Sequence, residues 1–250
     1  VRIAINGYGR IGRCFLRALH EAGLQRDFHI VAINEPADLA SIAYLTRFDS
    51  THGRFPGRVE AGDDHLLIDE QAIAVSHARE PEAVDWSSHD LDLVVECSGQ
   101  YSERASLMRF IDAGCPRLLL SHPANSAADV DATIVHGINQ LSLTGRERLV
   151  SNASCTTNAV VPVLALLHTE LGIEHAMLTT LHSVMNDQPL IDGYHHTDLR
   201  RTRSAMQSII PVSTGLARGV ERLLPALAGR VQAKAIRVPT HNVSAIDMVL

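Results

Sequence analysis

Lysine is nearly missing from this 250-residue chain: Lys234 is the only one, and arginine carries the rest of the positive charge. That imbalance reads as a background compositional bias rather than a functional signal. The formal net charge of -6 argues against broad nucleic-acid binding. No apolar run approaches the length of a membrane span, so no membrane segment is expected. The opening residues "VRIAING" read as a strand, not as a charged-then-apolar leader. The four cysteines, Cys14, Cys97, Cys115 and Cys155, form no CxxC pair, and no His/Cys cluster has zinc spacing. No metal site is therefore expected, and the thiols are expected to be free in a reducing cytoplasm. There is no internal repeat and no low-complexity tract. What remains is 46% hydrophobic and 20% charged, ample for a sizeable core in one or two domains.

Over the first 150 residues, β-rich runs alternate with helical patterns. "VRIAIN" precedes "RIGRCFLRALHEAG", "FHIVAIN" precedes "DLASIAYLTRF", and "LDLVVECS" precedes "RASLMRFIDAG" and "PRLLLS". Apolar strands separated by helices predict a parallel sheet covered on both faces. Residues 58–76 alternate like an antiparallel meander. The pattern changes after "SNASCTTN". A helix is expected over 157–171, with Pro162 in its first turn or at a kink. A β-rich run follows over 173–184, then a long polar stretch of the kind that is often functional. "GLARGVERLLPAL" predicts a helix, and "QAKAIRVPT" and "VSAIDMVL" predict strands. The expected organisation is 1–153 for the first domain and 154–250 for the second. The second, of α+β character, ends inside a strand and is expected to be truncated at its C-terminal end.

"NGYGRIG" places Gly7, Gly9 and Gly12 in GxGxxG spacing between a strand and a helix, the context that gives this motif its meaning. The first glycine permits the turn, the second lets backbone approach a pyrophosphate, and the third lets helix and strand pack closely. The helix N-terminus offers N–H groups to the phosphates. Glu35 ends the second strand, where an acid would bind ribose hydroxyls and repel a 2′-phosphate. This favours NAD over NADP on a Rossmann-type doubly wound sheet; the bland alternative is a glycine turn with a solvent-facing acid.

Cys155 is a packed core thiol, a metal ligand or a nucleophile. Its polar neighbours and its place at a helix start, where a thiol's pKa is lowered, fit the core reading poorly. His182, in the apolar run "TTLHSV", is either a core histidine bonded to backbone or the base for that thiol. Arg237, in "AIRVPT", needs an anionic partner if buried, supplied by a protein carboxylate or a ligand phosphate. Arg200, Arg201 and Arg203 form a solvated loop face, or they hold an anion or an oligomer interface. Thr214-Gly215, before a helix, is a further phosphate contact by the same helix-terminus logic.

Taken together, "VRIAINGYGRIGR", "FDSTHGRF", "SNASCTTN", "SIIPVSTG" and "RVPTHNVSAID" resemble the glyceraldehyde-3-phosphate dehydrogenase family along the whole chain. Within it, "LSHPANSAADVDATIVHGINQ" and the loop "LHSVMNDQPLIDGYHHTDLRRTRSAMQSIIP" are closer to the branch that oxidises erythrose 4-phosphate. The resemblance implies that Cys155 attacks an aldehyde, His182 raises its thiolate character, and a thioester is released by water as 4-phosphoerythronate, a step towards pyridoxal phosphate. It implies that Ser154, Thr156, Arg200, Arg201, Thr214, Gly215 and Arg237 contact the phosphorylated aldose or its phosphate. It also implies that Arg10 and Ile11 touch the NAD pyrophosphate, that Arg79 lies near the adenine, and that the protein is a cytoplasmic homotetramer with the polar loop between subunits. "SVMNDQ" departs from the threonine-rich segment of the glyceraldehyde-phosphate enzymes, and a carboxylate at Asp187 there is expected to repel a second anion. The alternatives are a phosphorylating glyceraldehyde-3-phosphate dehydrogenase and a catalytically silent NAD-binding fragment.

Overall fold

The computed structural model describes residues 1–195 and 198–250. The chain divides into two compact units. One comprises residues 1–134 and 140–153, the other residues 135–139 and 154–250.

In the first unit, β1 (Arg2–Asn6) leads into α1 (Arg10–Glu21), β2 (His29–Asn34) and α2 (Leu39–Arg47). A small hairpin, β3 (Phe48–Asp49) and β4 (Gly53–Arg54), precedes β5 (Val59–Ala61), β6 (His65–Ile68) and β7 (Gln71–Ser76). Then come β8 (Leu93–Glu96), α3 (Arg104–Asp112), β9 (Leu118–Leu120), β10 (Ala132–Thr133) and β11 (Leu149–Ser151). Nine strands form one sheet in the order β10-β11-β9-β8-β1-β2-β7-β6-β5. From β10 to β7 every pairing is parallel, and β7-β6-β5 is the antiparallel meander expected from the alternation.

This is a doubly wound, Rossmann-type sheet because the middles of its central strands are apolar on both faces: Ile3, Ala4, Ile5, Val94 and Val95 are all buried. One face packs around Leu16, Ile33 and Ile42, the other around Trp86, Leu107, Phe110 and Leu118. Each buried aliphatic or aromatic side chain contributes about 1.5–3 kcal/mol, which binds helices to both faces. The winding reverses between β1 and β8, so the carboxyl ends of these strands open the crevice where such sheets bind ligands.

The second unit begins with α4 (Cys155–Leu171), followed by β12 (Ala176–His182), β13 (Ile210–Val212), α5 (Leu216–Leu223), β14 (Val231–Arg237) and β15 (Ala245–Val249). Its sheet runs β13-β14-β12-β15 and is mixed: only β12 and β14 are parallel. Val160, Val161 and Leu164 of α4 pack with Leu216 and Val220 of α5 and with Leu178 of β12. Two details differ from the sequence reading. The helix starts at Cys155, because the Ser154 hydroxyl caps it by accepting from the Thr157 N–H at 3.1 Å. Pro162 consequently lies well inside α4 rather than in its first turn, and has no N–H to give to the helix ladder.

Candidate active site and dinucleotide turn

The glycine turn is shaped by three different demands. Gly7 has φ +83°, and a Cβ there would fall 2.5 Å from the Ser98 nitrogen. A Cβ on Gly12 would meet the Gly7 carbonyl oxygen at 2.4 Å, so α1 crosses β1 too closely for a side chain. Gly9 caps α1 at its N-terminus and faces open space, with no protein atom within 4 Å of a Cβ position. Protein packing does not require Gly9. The space it leaves lies at the helix N-terminus, where a pyrophosphate would sit.

Glu35 comes to this turn as expected from its place after β2. Its Oε2 accepts from the Tyr8 N–H at 2.7 Å, and its Oε1 accepts from the Ala37 N–H at 3.3 Å. The other turn residues are disposed differently. Ile11 is half exposed on the first turn of α1. Arg10 is ion-paired with Asp49. Arg79 is exposed, with its carbonyl accepting from the Tyr101 hydroxyl at 3.4 Å.

In the second unit, the first residue of α4 and the last of β12 meet. Cys155 Sγ lies 3.6 Å from His182 Nε2. His182 Nδ1 is 2.7 Å from the Ser183 carbonyl oxygen, which can only accept, so Nδ1 carries hydrogen and Nε2 is left for the thiol proton. Cys155 is exposed, unlike the core thiol Cys115. The hydrogen bond with His182 holds the Cys155 thiol below its ordinary range against the opposing effect of burial. The same contact raises His182, helped by the Ser183 carbonyl and opposed by desolvation. The pair therefore favours thiolate and imidazolium. Burial instead pushes Cys97 and Cys115 up to about 12, which leaves both inert.

The capping serine is part of this arrangement: Ser154 Oγ is 2.7 Å from the Thr157 hydroxyl and 3.2 Å from that of Thr156. Both Thr156 and Thr214 are half-buried. The Thr214 hydroxyl accepts from the Leu216 N–H at 3.2 Å at the start of α5, beside the exposed Gly215.

Arg237 ends β14 in register with His182 on β12. It is 9% exposed, and its partner is a protein carboxylate: Nη1 lies 3.4 Å from Asp187 Oδ1. The other oxygen of Asp187 is 2.9 Å from Arg201 Nη1. Asp187, expected to repel a second anion, bridges the two guanidinium groups. Its part was hidden because loop residues carry no periodicity. Arg200 reaches this cluster only through Asp198, whose Oδ2 also lies 3.8 Å from Arg201 Nε. Its guanidinium is bidentate on Asp198, at 3.0 Å for both contacts, and is more than half exposed. Arg203 pairs with Asp192 at 2.6 Å.

Comparison with protein families agrees with both halves of this picture. Residues 1–104 match the model of the glyceraldehyde 3-phosphate dehydrogenase NAD binding domain. Residues 154–250 match the model of the glyceraldehyde 3-phosphate dehydrogenase C-terminal domain.

Proposed function

Because the chain belongs to the glyceraldehyde 3-phosphate dehydrogenase family, we propose that it oxidises D-erythrose 4-phosphate to 4-phosphoerythronate, with water releasing the product. That membership makes the chain an NAD-dependent oxidoreductase acting on an aldehyde group, with NAD as its cofactor. The observation that carries the chemistry is the Cys155–His182 contact at the start of α4.

In this reading the Cys155 thiolate adds to the aldehyde carbon and forms a thiohemiacetal. The imidazolium at His182 and the Cys155 N–H, one of the unpaired donors of the helix N-terminus, stabilise the developing oxyanion. His182 gives its Nε2 proton to that oxygen and takes it back as the thioester forms. NAD, when bound, supplies the hydride acceptor. Gly7, Gly9 and Gly12 shape the turn for its pyrophosphate, while Glu35 takes the adenosine ribose hydroxyls and Arg79 lies toward the adenine. Arg201, Arg237, Thr214 and Gly215 hold the substrate phosphate, with Ser154 and Thr156 beside the reacting carbon.

The choice of the four-carbon substrate is supported by Met185, which places a thioether rather than a hydroxyl in the segment after His182. It is also supported by Asp187, which already engages both arginines and would compete with a second anion there. That competition deprives inorganic phosphate of a place beside the thioester and leaves water as acceptor. Homotetramer formation through the loop after β12 is supported by the exposed apolar side chains Leu190, Ile191, Tyr194, Leu199 and Ile209. The cytoplasm is the compartment we assign, on the free state of all four thiols.

The test is steady-state NADH formation with erythrose 4-phosphate and with glyceraldehyde 3-phosphate, each with and without inorganic phosphate. The expected result is a higher kcat/KM for erythrose 4-phosphate, with no phosphate requirement. A higher value for glyceraldehyde 3-phosphate, with an absolute phosphate requirement, assigns the phosphorylating activity instead.

A further inference from the structure

Four parallel strands of the first unit end on polar side chains in matching register: Ser76 on β7, Asn34 on β2, Asn6 on β1 and Glu96 on β8. Asn6, Asn34 and Glu96 are buried, Glu96 completely. Their hydrogen bonds form one chain with a fixed direction. At one end, backbone sets the orientation of Asn34. The Ala78 N–H donates to Asn34 Oδ1 at 3.0 Å, and Asn34 Nδ2 donates to the Ala78 carbonyl at 3.0 Å. The Ser76 hydroxyl also donates to Asn34 Oδ1, at 2.9 Å. Asn34 Nδ2 must then donate onward to Asn6 Oδ1 at 2.8 Å, which leaves Asn6 Nδ2 to donate to Glu96 Oε2 at 2.5 Å.

Glu96 closes the chain. Its Oε1 accepts from the Ser98 N–H at 2.7 Å, from the Gly99 N–H at 3.2 Å and from the Ser98 hydroxyl. Every neighbour donates to it. Burial raises the Glu96 carboxyl, but fixed N–H donors from Asn6, Ser98 and Gly99 meet both of its oxygens, and a carboxylate accepts on both sides where an amide presents a donor on one. A donor facing a fixed donor in a buried site loses the bond and incurs the desolvation cost of both groups. Flipping Asn6 does not relieve this, since the polarity is anchored at the Ala78 backbone.

The turn that Glu96 holds is the wall of the glycine loop: a Cβ on Gly7 would lie 2.5 Å from the Ser98 nitrogen. The Gly7 N–H in turn donates to the Asn34 carbonyl at 2.9 Å, and the Cys97 N–H to the Asn6 carbonyl at 2.7 Å. We infer that Glu96 is a positioning residue for NAD, its buried carboxylate terminating a directional hydrogen-bond chain that fixes the dinucleotide turn at the point where the sheet's winding reverses. The residue touches no substrate and acts through Ser98, Gly99 and Gly7. The inference rests on the assignment of this turn to NAD, which the parent protein's own titration tests separately.

The experiment is calorimetric titration of the full chain with NAD, for the parent, E96Q, N6D and the double variant N6D/E96Q, with a thermal melt of each. E96Q faces the Asn6 amide with a donor, and N6D sets two carboxylates against each other, so each single change should weaken NAD about tenfold or more. The double variant moves the charge one strand along. The carboxylate at position 6 then accepts from Asn34 and from the amide at 96, whose oxygen still accepts from Ser98 and Gly99. Affinity should return to within about threefold of the parent. A role confined to filling space would not be rescued by transposing the charge. The inference is overturned if folded E96Q binds NAD within twofold of the parent, or if the double variant fails to fold or binds no tighter than either single variant.

Discussion

Cys155 and His182 come from different elements, the first residue of α4 and the last of β12, and meet at 3.6 Å with the second imidazole nitrogen fixed on the Ser183 carbonyl. That fixed nitrogen settles which side of the ring faces the thiol, so the base does not depend on a rotation to become active. Replacing Cys155 by Ala should abolish NADH formation while leaving NAD affinity, measured by titration, near that of the parent. Cys14→Ala, by contrast, should retain turnover and lower stability by about 1 kcal/mol or less in a thermal melt.

The same pair sets a pH dependence. The Cys155 thiol lies below its ordinary range and the His182 imidazolium above its own, each chiefly because of the other. Acidification returns the proton to Cys155 only below the usual thiol range, and alkalinisation neutralises His182 only above the usual imidazole range. Both shifts favour the thiolate–imidazolium form over an unpaired thiol and imidazole. Iodoacetamide alkylation of Cys155, followed by mass spectrometry, should therefore rise on the acid side of pH 8.5, the ordinary thiol value of about 8.5. In His182→Asn its midpoint should move alkaline, towards that value. An unshifted midpoint would remove His182 from the activation of the thiol.

How much of this was legible in the sequence depends on how local each feature is. The glycine turn, its strand and its helix are contiguous, so spacing and periodicity put Gly7, Gly9 and Gly12 at the turn between β1 and α1, and Glu35 beside it followed from the length of one strand–helix–strand unit. Cys155 was singled out by its polar neighbours near a helix expected from 157; the start falls at 155 because Ser154 accepts from Thr157. The partners of Arg201 and Arg237 were not legible. They depend on how an irregular loop returns Asp187 to the end of β14, a path with no repeating pattern to read. Glu96 left one signal that went unused: a charged residue closing the apolar strand "LVVE", which demands a buried set of donors.

Glu35 carries two proposed duties that titration with two cofactors separates. Its carboxylate accepts from the Tyr8 N–H within the glycine turn, and in the proposed cofactor site its charge would repel a 2′-phosphate. Glu35→Ser should weaken NAD about tenfold, because the turn loses a charged acceptor. The ratio of NADP to NAD affinity should rise at the same time. Titrating both cofactors checks this, and parent protein that binds NADP more tightly than NAD would refute the assigned role.

Asp187 bridges two guanidinium groups, so its removal changes charge more than shape. Asp187→Asn leaves Arg237, itself 9% exposed, without its carboxylate, and the thermal melt should show a loss of about 1–2 kcal/mol. The cluster gains one unit of positive charge, and inorganic phosphate should bind several-fold more tightly, with a steeper dependence on salt. Calorimetry with phosphate at two ionic strengths measures both. Unchanged phosphate affinity would mean that Asp187 does not compete for this site.

Arg200 and Arg201 are adjacent in sequence and were equal candidates for the substrate phosphate, and their geometry separates them. The Arg200 guanidinium is committed to Asp198 through two parallel contacts and stands largely in water, where an ion pair contributes little. The Arg201 side chain is mostly shielded from solvent and shares Asp187 with Arg237, so a phosphate exchanging with that carboxylate would meet two guanidinium groups already held together. A charge-assisted contact of that kind is worth roughly 1.5–3 kcal/mol. Arg201→Ala should thus raise the KM for the phosphorylated aldehyde about tenfold or more, whereas Arg200→Ala should change it by about twofold or less. With an unphosphorylated aldehyde of the same length the two variants should behave alike, because the anion that distinguishes them is gone. Equal losses in Arg200→Ala and Arg201→Ala on the phosphorylated aldehyde would place the anion outside the Asp187 cluster.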